Sequence, residues 1–391
     1  MTHSLCRHPV VRFIVSGTAC LLLAACSSMN PLNWFSGSPG PKPAELKEIK
    51  TTLIVRQAWA VSVGAAGKYV FQPALVDGYA YTAAADGTLN KIALNNGRVV
   101  WRIETKSKLS AGVGSNGRVL VLGTSNGEVL AFDAADGKPR WQAQASSEII
   151  AVPAVSGDLV LVRSVDGRVS AFDADTGKAR WISQRPLPVL TLRNSGGILV
   201  TSTTAFVGYP GGKLVALSLS NGAPRWEASV TNPKGVTELE RIADVTGTPQ
   251  MQGSEVCAAS YQGRVTCFDA ATGEIAWSRP VSSANGLALD VLYAFVSDEG
   301  GPVQAYSRQG GASVWRQDQL LYRKLSQPLS SGRAAVVGDF EGVVHWLSRE
   351  AGAFIARART DGSAIVAAPQ ALTNGVLIQT SGGSLTAFTY E

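Results

Sequence analysis

The chain has 391 residues, 45% of them apolar and only 16% charged, where an average globular domain is about a quarter charged. That composition excludes a disordered chain, a collagen-like fibre and a disulfide-dense mini-scaffold, and five cysteines with three histidines are too few for a protein built on several metal sites. The net charge of +6 falls to +4 without residues 1–25, which hold Arg7 and Arg12 and no acid; with no Lys/Arg block, no nucleic-acid partner is expected.

The chain opens with a basic stretch, Arg7, His8 and Arg12, followed by an apolar stretch ending at Ala25. It is too short for a spanning helix and reads as a secretory signal over residues 1–25. No later run of eighteen apolar residues exists. Leu23-Ala24-Ala25-Cys26 resembles the bacterial lipobox. The resemblance implies that Cys26 becomes the lipidated first residue, palmitate included, with each buried CH₂ adding about 0.8 kcal/mol to membrane attachment. Ser27, rather than Asp, follows it, which implies the periplasmic face of the outer membrane. Residues 26–50 are rich in Ser, Pro, Gly and Lys and read as a flexible tether with a reach of about 25–30 Å.

Residues 51–391 are ruled by a repeat. One copy carries Gly167, Phe172, Gly177 and Trp181, spaced 5, 5 and 4. The spacing recurs from Gly87 to Trp101, Gly127 to Trp141, Gly212 to Trp226, Gly263 to Trp277 and Gly301 to Trp315. A seventh copy has Ala356 in place of Trp, and an eighth stops after Gly383 and Phe388. Between the glycines lie short β-rich pieces, and Asp-Gly and Asn-Gly pairs supply tight hairpins. One unit parses as four strands: 151–155, 159–164, 168–173 and 179–183. Eight such units predict an all-β, eight-bladed propeller of four-stranded antiparallel blades.

The eighth copy lacks an outer strand. The orphan segment 53–63, with Trp59 and no turn glycine before it, is expected to supply it and close the ring. Seven of the nine tryptophans, Trp59, Trp101, Trp141, Trp181, Trp226, Trp277 and Trp315, hold the repeat position and are expected to pack between blades. Trp346 instead replaces the small residue before the anchor of blade seven.

The phrase Ala-Phe-Asp-Ala-x-Thr-Gly-x-x-x-Trp, as in 171–181, resembles the pyrroloquinoline-quinone (PQQ) type propeller repeat. Eight such blades behind a lipobox resemble the BamB family of outer-membrane β-barrel assembly lipoproteins. The resemblance implies a non-enzymatic scaffold of the BAM complex that binds the POTRA domains of BamA and assists folding and insertion of outer-membrane proteins. It also implies a Leu-x-Leu-Arg stretch and an Asp-x-Asp stretch in contact with those domains. Leu190, Leu192 and Arg193 match the first; Asp244 matches the first Asp of the second, with Thr246 where the second Asp is expected. Both stretches fall in the two long copies, whose extra residues lie near 184–197 and 231–247. Without the family, two exposed leucines and an Arg form a plausible contact set, whereas strict alternation would make the leucines inward residues of an ordinary strand. Unfolded clients could also add strands to the propeller edges.

Catalytic chemistry has little to stand on. Beyond the signal only His345 remains, at a routine third-strand position, and the glycine pairs are hairpin turns rather than phosphate loops. The alternatives are a periplasmic PQQ-dependent oxidoreductase or a small-ligand propeller. The former resembles this chain in its blades but holds its quinone with a disulfide of adjacent cysteines and an acid-ligated Ca²⁺. No Cys-Cys pair exists here, so no cofactor is expected. Cys257 and Cys267 flank one turn; a cross-strand bridge and two reduced buried thiols are both open to them.

Overall fold

In the computed structural model residues 41–390 are described. The expected signal segment, Cys26 and residues 27–40 of the expected tether lie outside them. Among the described residues there is no helix, and thirty-two strands form eight separate four-stranded antiparallel sheets. Blades one to seven occupy residues 74–104, 114–144, 154–184, 198–229, 245–280, 287–317 and 329–359. Blade eight takes Gln370–Leu372, Gly375–Gln379 and Ser384–Tyr390 from the C-terminus and Val55–Ser62 from the N-terminus as its outer strand. That closing strand runs antiparallel to Ser384–Tyr390, with Trp59 opposite Ala387, so the ring is sealed as the repeat arithmetic requires.

Second and third strands are buried on both faces and read as near-continuous apolar runs, as in Val119–Gly123 and Leu159–Arg163. Outer strands alternate, as in Ala179–Gln184. Seven of the eight innermost strands have only two or three residues, that of blade three being Ala154–Ser156 rather than the expected 151–155; the innermost strand of blade five, Val245–Gln252, is the exception, with a break in register between Thr246 and Gln250. The core is divided among the interblade gaps. Residues 159, 161, 169 and 171 of blade three pack on blade four, while 160, 162 and 172 pack on blade two. The period of two in each strand therefore serves two neighbours at once.

The tryptophan row clasps adjacent blades. Trp181 of blade three covers Gly222 of blade four, where a Cβ would meet the ring at 2.3 Å, and its Nε1 donates to the Leu219 carbonyl at 2.8 Å. Trp59, Trp141 and Trp226 make the same pair of contacts with Gly97, Gly177 and Gly273 and with the carbonyls of Leu94, Ala174 and Ala270. Trp101 and Trp315 do so at Gly137 and Gly352. Trp277 covers Gly311, but its Nε1 donates to Glu255, which also pairs with Arg308 of the next blade at 2.8 Å. Each such glycine has a positive φ, 71° at Gly222, and at all of them but Gly137 a Cβ would also overlap the ring; at Gly137 it would meet Trp101 and Ile103 at 3.3 Å.

The seventh copy departs from the row for a physical reason. Blade eight has no turn between third and outer strands, because those strands come from C-terminal and N-terminal segments of the chain, so no glycine awaits a clasp. Trp346 and Ala356 are directly paired, large and small exchanged across the two strands. Trp346, fully buried, lies 5.7 Å from the Phe388 ring and donates to Tyr390 Oη at 3.2 Å.

Alternation of strands gives the ring two faces. One carries the turns between second and third strands and the loops that link blades; the other carries the remaining turns. The linking-loop face also receives the N-terminal segment. Pro43–Glu391 is one compact unit, and the backbone is held well before residue 51, within the expected tether. Ala44 N donates to Leu321 O, Arg323 donates to Ala44 O at 3.0 Å, and Arg357 donates to Lys47 O at 2.8 Å. Thr52 then donates to Ile355 O before the chain turns into the closing strand. Cys257 and Cys267 face each other across the second and third strands of blade five and are disulfide-bonded.

Candidate interaction site

Both insertions are linking loops on one face of the ring, between blades three and four and between blades four and five. Residues 185–197 form no strand, so the alternating-strand reading of Leu190 and Leu192 does not hold. Two prolines, Pro186 and Pro188, withhold the N–H groups a ladder would need. Leu190 is exposed and Leu192 half-buried. Arg193 is half exposed and grips Glu148, from the loop between blades two and three, through both carboxylate oxygens at 2.5 and 2.6 Å. This bond raises the already high pKa of Arg193. The guanidinium also lies 6.0 Å from the Tyr69 ring.

Asp244 and Thr246 require a correction as contact residues: both are only 1% exposed. Asp244 accepts hydrogen bonds from the backbone amides of Leu192 at 2.6 Å and Gly211 at 3.3 Å. Burial raises its pKa; the two amides and Arg163 act in the opposite sense. Its carboxylate thus holds the first loop in place from 52 residues away. Thr246 donates to Ser283 O at 2.7 Å and ties the innermost strand of blade five to the next linking loop. Asn194 adds a bond to Val245 O. The pair expected to touch a partner is instead the support for the pair that can.

The second loop presents its own apolar tip. Thr237 and Glu240 cap each other: Glu240 accepts from the Thr237 and Val236 amides, and the Glu240 amide donates to Thr237 Oγ1. The turn leaves Val236 and Leu239 exposed at 91% and 66%. The Thr-x-x-Glu spacing of residues 237–240, which the sequence analysis did not single out, is the signal that could have found this turn. Glu148, Tyr69 and Arg163 carried none, since each comes from a different part of the ring.

The central channel was the alternative site. Its cavity of about 190 Å³ is lined by small apolar residues and by Gln72, Asn194, Ser195, Thr248, Asn285 and Gln327, with no charged side chain. A polycarboxylate quinone would need cations and its Ca²⁺ would need acids, so these residues do not fit that group. The disulfide lies buried within blade five, away from the channel lining. Glu255 groups with these two cysteines, but bonded sulfurs are not free thiolate ligands. His345 is sealed between Asp339 and Arg357, and among the described residues no hydroxyl or thiol is hydrogen-bonded to it.

Comparisons with known proteins bear on the family. The family profile described as outer membrane protein assembly factor BamB matches residues 85–317 and 299–391. Among named relatives, outer membrane protein assembly factor BamB of Bordetella pertussis is 41% identical over 94% of both chains. That of Escherichia coli is 33% identical over 94% of this chain and 96% of its own. The crystal structure of BamB from Moraxella catarrhalis superposes with a TM-score of 0.80 at 28% identity, covering 86% of this chain and all of that one. A quinohemoprotein alcohol dehydrogenase from Comamonas testosteroni reaches 0.68 at 14% identity, over 86% of this chain and 76% of that one, and shares the fold alone. By fold, by repeat and by matches over nearly its whole length, the chain belongs to the outer membrane protein assembly factor BamB family.

Proposed function

We propose that this protein is the lipid-anchored scaffold subunit of the outer-membrane β-barrel assembly complex. Held at Cys26 on the periplasmic face, after loss of residues 1–25, it docks on the POTRA domains of BamA and assists folding and insertion of outer-membrane proteins. It performs no catalysis and uses no cofactor. The observation that carries the reading is the Asp244 carboxylate on the Leu192 amide: it fixes an irregular, proline-bearing loop so that Leu190 and Arg193 face outward together. A rigid loop with an apolar and a guanidinium contact is what a specific interface needs, because less ordering entropy is lost on binding. Val236 and Leu239 extend the apolar area on the same face.

The test is a calorimetric titration of the full-length lipoprotein in detergent with the POTRA domains of its own BamA. Saturable binding is expected. Arg193→Glu should weaken it by about 100-fold, by reversing a charge at the centre of contact and repelling Glu148. Asp244→Ala should weaken it by about tenfold with an unchanged far-ultraviolet spectrum, since two amides lose their acceptor. Wild-type protein that fails to bind would sink the reading; binding indifferent to both substitutions would move the site elsewhere.

A further inference from the structure

Beneath the first loop lies a pocket of about 250 Å³, walled by Ile150, Val165, Leu187 and Leu192 and edged by Arg163 and Arg193. The guanidiniums around this loop differ in one respect. Arg193 is paired with Glu148, and Arg185 with Glu227. Arg163, at the end of the second strand of blade three, has no carboxylate within 4 Å among the described residues. One of its nitrogens, Nη1, donates to Gly196 O at 2.9 Å, and the guanidinium lies 5.8 Å from the Tyr209 ring. The Tyr209 hydroxyl is itself buried without a partner. Asp244, at the end of the loop leading into blade five and the acid whose charge acts on Arg163, already has its two oxygens on the Leu192 and Gly211 amides. Burial lowers the Arg163 pKa from its high ordinary value, with Tyr209 and Asp244 opposing; an Arg remains charged regardless.

We propose that this pocket receives a carboxylate side chain, Asp or Glu, from the docked partner, with the open fork of Arg163 binding it and Leu187 and Leu192 packing against its stem. A planar guanidinium with unused donors matches a carboxylate in two-point geometry, and charge-assisted bonds in a partly dry pocket are the stronger kind. The inference rests on the docking reading for its partner, but the pocket's chemistry can be tested without one.

The experiment uses the full-length lipoprotein in detergent and records the arginine side-chain Nε–Hε resonances by NMR, that of Arg163 being assigned by its absence in Arg163→Lys. The first probe is N-acetyl-glutamate N-methylamide, with the glutamine analogue as its neutral match. A saturable shift of the Arg163 signal with the glutamate probe alone is expected; equal responses, or none, overturn the pocket. The second probe is the POTRA domains, which should displace the glutamate probe and bind Arg163→Met about tenfold more weakly than wild type. POTRA domains that bind tightly to both proteins without displacing the probe overturn the partner carboxylate. If the glutamate probe binds and the POTRA domains neither bind nor displace it, the docking reading fails and the carboxylate pocket stands.

Discussion

His345 shows how a residue with catalytic credentials can be wholly structural. Its ring is fully buried in blade seven; Arg357 Nε donates to Nδ1 at 3.3 Å, which leaves the proton on Nε2 to donate to Asp339 at 3.0 Å. Arg323 completes the chain on Asp339 at 2.7 Å. Burial pushes the His345 pKa below its ordinary 6.5. Burial also works against the Asp339 carboxylate, yet His345, the Val343 amide and Arg323 together hold its pKa below the usual 3.8. Both shifts mean that the unfolded chain binds more protons than the folded one, so stability must fall on acidification. The His345 part is full above about pH 6.5 and is lost progressively below it, as pH falls to the lowered folded value; the Asp339 part is lost in the same way below about pH 3.8. Wild-type protein should therefore unfold at lower urea at about pH 5 than at about pH 7.5, with a slope of at most about 1.4 kcal/mol per pH unit for one proton. His345→Gln should flatten that slope, and an unchanged slope would remove His345 as its source. Residue by residue, the site was legible where the signal was local. Leu190 and Arg193 stood out because an insertion carried them. Asp244 was found in the right place and given the wrong task, because its burial depends on a backbone amide far away in sequence.

At the scale of the element, the unit of construction is the clasp between one blade's tryptophan and the next blade's glycine. The strict spacing made both visible in the sequence, but not that they belong to each other across a gap. That pairing predicts coupling. Trp181→Ala should cost toward the lower end of about 3–5 kcal/mol, since the ring keeps an exposed edge. Gly222→Ala should cost about 1–3 kcal/mol through its φ of 71° and the overlap with the ring. With both changes in one chain the cost should fall short of the sum, because the overlap is gone once the ring is gone. Strict additivity in urea denaturation would refute the clasp. The exception at Trp346 and Ala356 was visible as a deviation, while its cause, an interface with no turn to cover, needed the ring to be seen whole.

For the whole molecule, the decisive element is Val55–Ser62, seven of whose eight residues pair with the C-terminal strand. Blade count and closure followed from arithmetic on the repeat, since every blade is encoded locally by the same turn and anchor spacing. Strand ends followed less well, as the three-residue innermost strand of blade three shows. A chain lacking residues up to Ser62 would leave Ser384–Tyr390 as an open edge, and unpaired edges recruit other chains. Such a variant should dimerise or aggregate by light scattering and lose its single sharp unfolding transition. A monomer with the wild-type midpoint would show that closure is dispensable.

The N-terminal segment also has a mechanical meaning. If the protein is anchored at its N-terminus as proposed, drag on it would be borne where the chain is first gripped. Among the described residues the earliest grip is on Ala44 and Lys47, held by Arg323 of the loop before blade seven and by Arg357 of its outer strand, two arginines whose side chains are braced by Asp339 and His345. The strand that closes the ring comes only afterwards, past Thr52 and a reversal of direction. Under that anchoring, tension would be spent on a side-chain grip that can re-form, and the closing ladder, whose loss would open the whole ring, would stay unloaded.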